Sequence, residues 1–139
     1  MTSQDRVRNI MREAVKTLGW NDQLTIADEL MRMERIRHLP VLDENGALVG
    51  IVSQRDLFRG ALARTLGYGE HAQETLIAHL VVKDVMTNNP TTIAPDASAS
   101  AAARIMLDQK IGCLPVVKGD TLVGIITESD FLARIADKG

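Results

Sequence analysis

The sequence has few of the residues that build disulfide-rich, zinc-binding or base-stacking proteins. Its single cysteine among 139 residues, Cys113, excludes an internal disulfide framework and a cysteine-rich zinc site. Aromatic residues make up only 3%, so stacking platforms for single-stranded nucleic acid are not expected. The three histidines, His38, His71 and His79, form no metal-ligand spacing with Cys113. We therefore predict no metal site.

The sequence also lacks a strong net charge and a long apolar run. There are 16 Lys and Arg against 18 Asp and Glu, and this balance argues against general binding to nucleic acid or acidic membranes. No apolar run approaches the roughly 20 residues of a membrane span. The N-terminal residues up to Arg12 contain no apolar signal-peptide core. We therefore expect a cytoplasmic protein. Its apolar fraction of 45% is sufficient for a core.

The chain repeats itself. With an offset of 75 residues, Leu39-Pro40-Val41 aligns with Leu114-Pro115-Val116. One residue is lost in the next turn, and with an offset of 74 Leu48-Val49-Gly50-Ile51 aligns with Leu122-Val123-Gly124-Ile125. Such self-similarity is typical of a tandem structural repeat.

Each repeat has the pattern of a β-α-β-β-α unit, which predicts an α/β (α+β) fold. The predicted elements are a first strand at 14–18 or 91–94, a helix at 26–36 or 101–110, strands at 39–42 and 48–52 or 114–117 and 122–126, and a helix from Ser53 or Thr127. The predicted boundaries are 1–66 for the first repeat, 67–81 for a linker with helical pieces, and 82–139 for the second repeat.

The most informative residues lie where the last strand of each repeat meets the last helix. Ser53 is followed three residues later by Asp56, and Thr127 is followed at the same spacing by Asp130. The simplest interpretation is a helix N-cap, in which the hydroxyl accepts from backbone N–H groups and the acid favours the helix dipole.

A second interpretation of the same residues is a ligand site. A carboxylate repels phosphate, but its two oxygens can accept hydrogen bonds from the two hydroxyls of a ribose. A phosphate would then need basic groups, for which the candidates are Arg35, Arg37, His38, Arg55 and Lys110. The two interpretations are compatible, and the sequence alone leaves both open.

The doubled motif resembles the cystathionine-β-synthase-type (CBS) domain pair, or Bateman module. The resemblance is carried by Ile36 to Val41 with Gly50 to Asp56, and by Ile111 to Val116 with Gly124 to Asp130. It implies two repeats packed sheet to sheet about a pseudo-twofold axis, with adenosine ligands in two inter-repeat clefts. The implied ligand is AMP, ADP or ATP, with S-adenosylmethionine or NAD as further candidates.

The resemblance also implies a set of ligand-binding residues. In this family the acid of the motif holds the ribose, the hydroxyl residue lies beside it, and residues around Leu-Pro and on the first strand line the adenine pocket. Carried over by position, with the basic residues near the first motif, the set is Asp56, Asp130, Ser53, Thr127, Thr17, Leu18, Thr92, Ile93, Arg37, His38, Leu39, Pro40, Arg55, Gly112, Cys113, Leu114 and Pro115.

The two repeats differ in the residues around the motif. The first has Arg37, His38 and Arg55, whereas the second has Gly112, Cys113 and Ser129. The sequence therefore does not indicate which cleft binds better.

We therefore predict a regulatory module that senses an adenosine nucleotide and passes the signal to an effector protein. No catalytic constellation is visible, so we predict neither enzymatic activity nor a cofactor. The family resemblance and the prevalence of twofold assemblies favour a homodimer. The alternatives are a structural homodimerisation module without a nucleotide ligand and, against the acidic composition, a nucleic-acid-binding CBS protein.

Overall fold

The computed structural model describes residues 5–57 and 80–138. In chain order its elements are helix α1 (Val7–Ile10), strand β1 (Leu18–Gly19), helix α2 (Leu24–Glu34), strands β2 (His38–Leu42), β3 (Leu48–Ser53) and β4 (Thr87–Asn88), helix α3 (Ala99–Gln109), strands β5 (Cys113–Lys118) and β6 (Thr121–Thr127), and helix α4 (Glu128–Lys138). Residues 54–57 are helical, and Val82–Asp84 forms a 3-10 turn. This order confirms the predicted mixed fold of two repeats. Most of the predicted linker lies outside the described residues.

The described residues form two compact units, one of which combines two separate stretches of the chain. One unit contains residues 16–57 with 80–89, and the other contains 5–15 with 90–138. The short segment that opens each sequence repeat therefore belongs to the unit built around the other repeat. We call residues 5–15 and 80–89 the opening segments.

The sheets of the two units have the same plan. In the first, the strand order is β1-β2-β3-β4, with β1 parallel to β2 and the other pairs antiparallel. In the second, β5 and β6 form the antiparallel pair. Single-residue bridges flank them: Ile93 pairs in parallel with Val116, and Arg12 pairs antiparallel with Ile125. Arg12 thus occupies the place that Thr87 of β4 has opposite Ile51.

The predicted first strands are shorter than the sequence pattern indicated. Pairing begins only at Leu18 in one unit and is limited to Ile93 in the other. The Ile93 N–H donates to the Pro115 carbonyl oxygen and the Val117 N–H donates to Ile93, at 3.1 and 2.9 Å. The next donor upstream in this parallel pattern is the nitrogen of Pro115, which carries no hydrogen, so the ladder cannot extend further. Pro40 is in the same position relative to β1.

The two cores are built from equivalent residues. The pairs of buried side chains at matching repeat positions are Leu18 and Ile93, Ala27 and Ala102, Met31 and Met106, Leu39 and Leu114, Val41 and Val116, and Val52 and Ile126. The opening segments complete both cores, because Val82 and Val7 are fully buried in the first and second unit, respectively. Burial of each such side chain is worth about 1.5–3 kcal/mol.

Two glycines allow the opening segments to approach the sheets closely. A Cβ on Gly124 would lie 2.8 Å from the Arg12 carbonyl oxygen, and a Cβ on Gly50 would lie 3.0 Å from that of Thr87. The side chains of Met11 and Met86 also lie against these glycines. The approach requires a residue without a side chain at both positions.

No helix within the described ranges has both the length and the apolar character needed to cross a membrane.

Candidate functional site

The turn at the end of β3 is a closed loop of two reciprocal hydrogen bonds. The Ser53 N–H donates to Asp56 Oδ2 at 2.9 Å, and the Asp56 N–H donates to Ser53 Oγ at 3.0 Å. This is the predicted helix cap, an arrangement worth about 1 kcal/mol. Both side chains are only half-buried, and the Ser53 hydroxyl proton is not used in this pair of hydrogen bonds.

The turn at the end of β6 lies at the equivalent repeat position but has a different hydrogen-bond pattern. Asp130 Oδ2 accepts from the Thr127 N–H at 2.8 Å and from the Thr127 hydroxyl at 3.1 Å. Asp130 Oδ1 accepts from Arg12 Nε at 3.1 Å. Asp130 is buried, with 8% of its side chain exposed, whereas the side chain of Arg12 is 57% exposed.

Each turn is joined to the start of the neighbouring antiparallel strand, β2 in the first unit and β5 in the second. His38 is the register partner of Ser53, and Cys113 is the register partner of Thr127. The Gln54 N–H donates to the Arg37 carbonyl oxygen at 2.8 Å, and the Glu128 N–H donates to that of Gly112 at 3.2 Å. The structure therefore brings the predicted residues 37–38 and 112–113 to the capped helix starts.

Several predicted binding residues have their side chains in the cores. Leu18, Leu39, Ile93 and Leu114 are buried there, and Pro40 and Pro115 are buried as well. With at most 6% of their surface exposed, Leu18, Leu39, Ile93 and Leu114 belong to the cores and not to an accessible surface. By contrast Thr17 and Thr92 are half-buried, and Arg37 and Arg55 are exposed. These four side chains are accessible to a polar ligand.

Two of the basic phosphate candidates have a defined structural position. Arg35 and Lys110 end helices α2 and α3 in the left-handed conformation, with φ of 54° and 56°. Their N–H groups donate to the carbonyl oxygens of Met31 and Met106. Their backbones therefore serve as helix C-caps.

Arg12 was not among the residues predicted from the sequence. It lies 118 residues before Asp130, and only the packing of the opening segment brings the two together. A signal was nevertheless present, because the repeat offset of 75 aligns Arg12 with Thr87. One repeat therefore has a charged residue at a position where the other has a neutral one, and this indicates that the two turns have different neighbours.

Cys113 occupies the repeat position of His38 and is buried. Burial raises the pKa of its thiol from the ordinary value of 9.0 to about 12. At neutral pH the group is therefore a protonated thiol and a poor nucleophile. No cluster of three or more His, Cys, Asp or Glu side chains suited to a metal ion occurs among residues 5–57 and 80–138.

The CBS domain family profile matches residues 7–63 and 82–137. The chain therefore belongs to the CBS domain family and contains two copies of the repeat. The matched ranges include both capped turns and Arg12.

The chain is similar to relatives of very different length. It is 33% identical over 128 residues to a CBS domain-containing protein of Dictyostelium discoideum, covering 91% of this chain and 88% of that protein. An uncharacterized protein of Methanocaldococcus jannaschii is 36% identical over 135 residues, or 95% of this chain, which spans only 32% of that relative. A homoserine O-acetyltransferase of Methanohalophilus mahii is 34% identical over 134 residues, or 96% of this chain and 25% of the enzyme. In this enzyme-named relative the CBS pair is an accessory part.

Two similar crystal structures contain adenosine ligands. The CBS domain pair of protein MJ0100, in complex with 5′-methylthioadenosine and S-adenosyl-L-methionine, has a TM-score of 0.77 and 28% identity, covering 96% of this chain and 98% of that one. CBSX2 in complex with AMP has a TM-score of 0.77 and 28% identity, covering 97% of this chain and 99% of that one. These two CBS pairs thus bind adenosine compounds.

Proposed function

We propose that this protein is a regulatory module that binds an adenosine nucleotide at its capped turns and transmits the bound state to a partner protein. The Ser53–Asp56 turn carries the proposal. Its carboxylate lies at the carboxyl end of a strand and the start of a helix, where α/β proteins commonly bind ligands. The complexes of similar CBS pairs with AMP, 5′-methylthioadenosine and S-adenosyl-L-methionine support it.

The hydrogen bonds at this turn leave acceptor capacity for a ribose. Within the described residues Asp56 has no ion pair, and its Oδ2 accepts from Ser53. A carboxylate offers about four lone-pair directions, so both ribose hydroxyls can donate to Asp56 while the cap is kept. The exposed Arg37 and Arg55 lie within two residues of the turn in register or sequence, and they supply positive charge for a phosphate.

Regulation requires that the ligand bind two states of the module with different affinity. The proposal therefore includes an effector protein that recognises one of these states. The cytoplasmic location expected from the sequence is also part of the proposal, as is the absence of enzymatic activity.

The first test is thermal unfolding with AMP, ADP, ATP, NAD and S-adenosylmethionine, with GMP as the control. A ligand at about 100 times its Kd adds about 2.7 kcal/mol to the free energy of unfolding. For a chain of this size that raises Tm by about 5–10 °C. We expect a shift with at least one adenosine ligand, none with GMP, and loss of the shift in Asp56→Ala.

A matched variant separates lost binding from lost stability. Asp43 also caps a turn, because its Oδ1 accepts from the N–H groups of Asn45 and Ala47 at 2.9 and 3.0 Å. Asp43→Ala therefore removes a comparable number of hydrogen bonds away from the proposed site and should retain the ligand-induced shift. A folded protein that responds to none of the adenosine compounds contradicts the proposal.

Exposed apolar side chains favour a second function, homodimerisation. The largest are Ile26 and Met33 on α2, Leu107 on α3, and Leu132 and Ile135 on α4, with exposed fractions of 40, 78, 68, 68 and 57%. Apolar surface of this kind is typical of an interface. If no nucleotide binds, a structural homodimer is the function these faces support.

A further inference from the structure

The two capped turns differ in one neighbour, Arg12. Its backbone is fixed beside β6, because the Arg12 N–H donates to the Ile125 carbonyl oxygen at 2.9 Å and the Ile125 N–H donates back at 3.0 Å. From this position the guanidinium Nε donates to Asp130 Oδ1 at 3.1 Å. The contact therefore belongs to a paired piece of backbone rather than to a loosely attached terminus.

The hydrogen-bond donors around Asp130 already engage both of its oxygens. Thr127 supplies two donors to Oδ2 and Arg12 supplies one to Oδ1. Only 8% of the Asp130 side chain is exposed, while 57% of the Arg12 side chain is. Arg12 thus donates to Oδ1, the Asp130 oxygen to which Thr127 does not donate. A ribose that approaches Asp130 as it would Asp56 has to displace a charged donor.

Among residues 5–57 and 80–138, Asp56 has no contact equivalent to that of Arg12 with Asp130. Thr87 has the place of Arg12, since it pairs with Ile51 as Arg12 pairs with Ile125. Threonine carries no charge, and within the described residues Asp56 has no ion pair. Asp56 is also the more accessible carboxylate, half-buried where Asp130 is buried.

We propose that Arg12 is a built-in occupant of Asp130, so that an adenosine nucleotide binds at the Asp56 turn first and at the Asp130 turn only after Arg12 is displaced. This inference rests on the proposed function, because it states which of the two turns is open. A charge-assisted hydrogen bond of this kind should weaken binding at Asp130 about 10- to 150-fold relative to the same turn without the arginine.

The experiment is calorimetric titration of AMP into the full chain and two exchange variants. Arg12→Thr gives the Asp130 turn the neighbour that Asp56 has. Thr87→Arg gives the Asp56 turn an arginine in the equivalent place. We expect the unaltered protein to bind one AMP per chain. Arg12→Thr should bind a second AMP, at an Asp130 turn with higher affinity than in the unaltered protein, and adding Asp130→Ala should abolish this second site. Thr87→Arg should bind AMP more weakly than the unaltered protein.

Arg8→Thr is the matched control for charge. Arg8 lies on the same opening segment and pairs with Asp96 at the surface, so this variant loses the same charge without touching Asp130. It should bind AMP as the unaltered protein does. Thermal unfolding checks that all variants fold, which the exposure of Arg12 and Thr87 favours.

The outcomes separate this inference from the function it rests on. AMP binding with two equal sites in the unaltered protein, or binding that Arg12→Thr leaves unchanged, overturns the role of Arg12 alone. Weaker binding in Arg12→Thr also overturns it, because Arg12 would then be a ligand contact. If AMP binds to none of the proteins, the proposed function fails for this nucleotide and the inference fails with it.

Discussion

At the scale of single residues, equivalent positions of the two repeats have acquired different chemistry. His38 and Cys113 both lie opposite a capping hydroxyl residue, but Cys113 is buried and the pKa of its thiol is about 12. Burial of an uncharged thiol is favourable. At alkaline pH the thiol ionises in the unfolded chain but not in the buried site, and this lowers the free energy of unfolding. The buried thiol therefore makes stability sensitive to alkaline pH.

The raised pKa of Cys113 predicts a loss of stability between pH 8 and pH 10. In the unfolded chain the thiol ionises near its ordinary pKa of 9.0, whereas in the folded chain it stays protonated up to about 12. Its contribution is fully present below pH 9 and is lost as pH rises towards 12. By linkage the loss between pH 8 and pH 10 is about 1 kcal/mol. Urea unfolding of the unaltered protein and of Cys113→Ala, compared at both pH values, measures it.

Cys113→Ala is the reference because other groups also titrate in this range. The difference between the two proteins isolates the thiol, and an equal loss in both contradicts the prediction. Reaction of Cys113 with a thiol reagent should likewise be much faster in urea than in the folded state.

At this scale the sequence predicts what is local. Ser53 with Asp56 was identifiable as a cap because a spacing of three residues at a strand-to-helix junction permits reciprocal hydrogen bonds. At the matching turn the contact differs from the predicted cap, because the Thr127 hydroxyl donates to Asp130. Their role in ligand binding remains a prediction. Arg12 was not identifiable, because its partner is 118 residues away and the pairing depends on which sheet receives the opening segment.

At the scale of elements, helices α2 and α3 end in the same way. Each stops at a basic residue in the left-handed conformation, Arg35 or Lys110, and the following isoleucine N–H donates to a methionine carbonyl in the last turn. Glycine is the residue that adopts this conformation without a Cβ penalty. Both helix ends therefore carry a local cost.

The end of α3 predicts a stabilising substitution. Lys110→Gly should raise the free energy of unfolding by up to about 1 kcal/mol, because it removes the left-handed strain at an exposed site. Chemical denaturation gives the difference. Asp108→Gly, two residues earlier in the helix, is the control and should lower stability by a few tenths of a kcal/mol. A loss of stability in Lys110→Gly would show that the lysine side chain contributes more than the strain costs.

The helices and the central strands were predictable because periodicity and apolar runs mark them clearly. The first strands were not, since their length is set by the missing N–H of Pro40 and Pro115 on the neighbouring strands. The apolar pattern of the first strand does not show how many N–H groups the neighbouring strand can offer to it.

At the scale of the whole molecule, the exposed apolar side chains of α4 predict self-association. Leu132 and Ile135 are three residues apart and therefore lie on one helix face, with 68 and 57% of their surface exposed. We expect a homodimer in solution. Leu132→Glu places a charge on this face and should shift the population towards monomer by sedimentation velocity.

Thr121→Glu is the matched control, because it adds the same charge at the exposed start of β6, at the opposite end of that strand from α4. It should keep the mass of the unaltered protein. A monomeric unaltered protein over the whole concentration range would contradict the homodimer. It would leave the exposed faces of α2, α3 and α4 without a partner of the same chain.

The number of repeats, their element order and their shared core positions were predictable from the sequence, since matched residues at a fixed offset require matched environments. The exchange of opening segments was not. An offset shows that Val7 and Val82 are equivalent, but it does not show which sheet each of them completes.

That exchange bears on how such a chain can originate. A single repeat whose opening segment does not cover its own sheet leaves the side of the sheet beside its glycine open, and a second copy can cover it by reciprocal domain swapping. Fusing the copies end to end replaces an encounter between molecules with a tethered one, at millimolar effective concentration for a short linker. Duplication thus converts a concentration-dependent swap into a permanent one, and it allows the two halves to carry different residues at equivalent positions, as at Arg12 and Thr87.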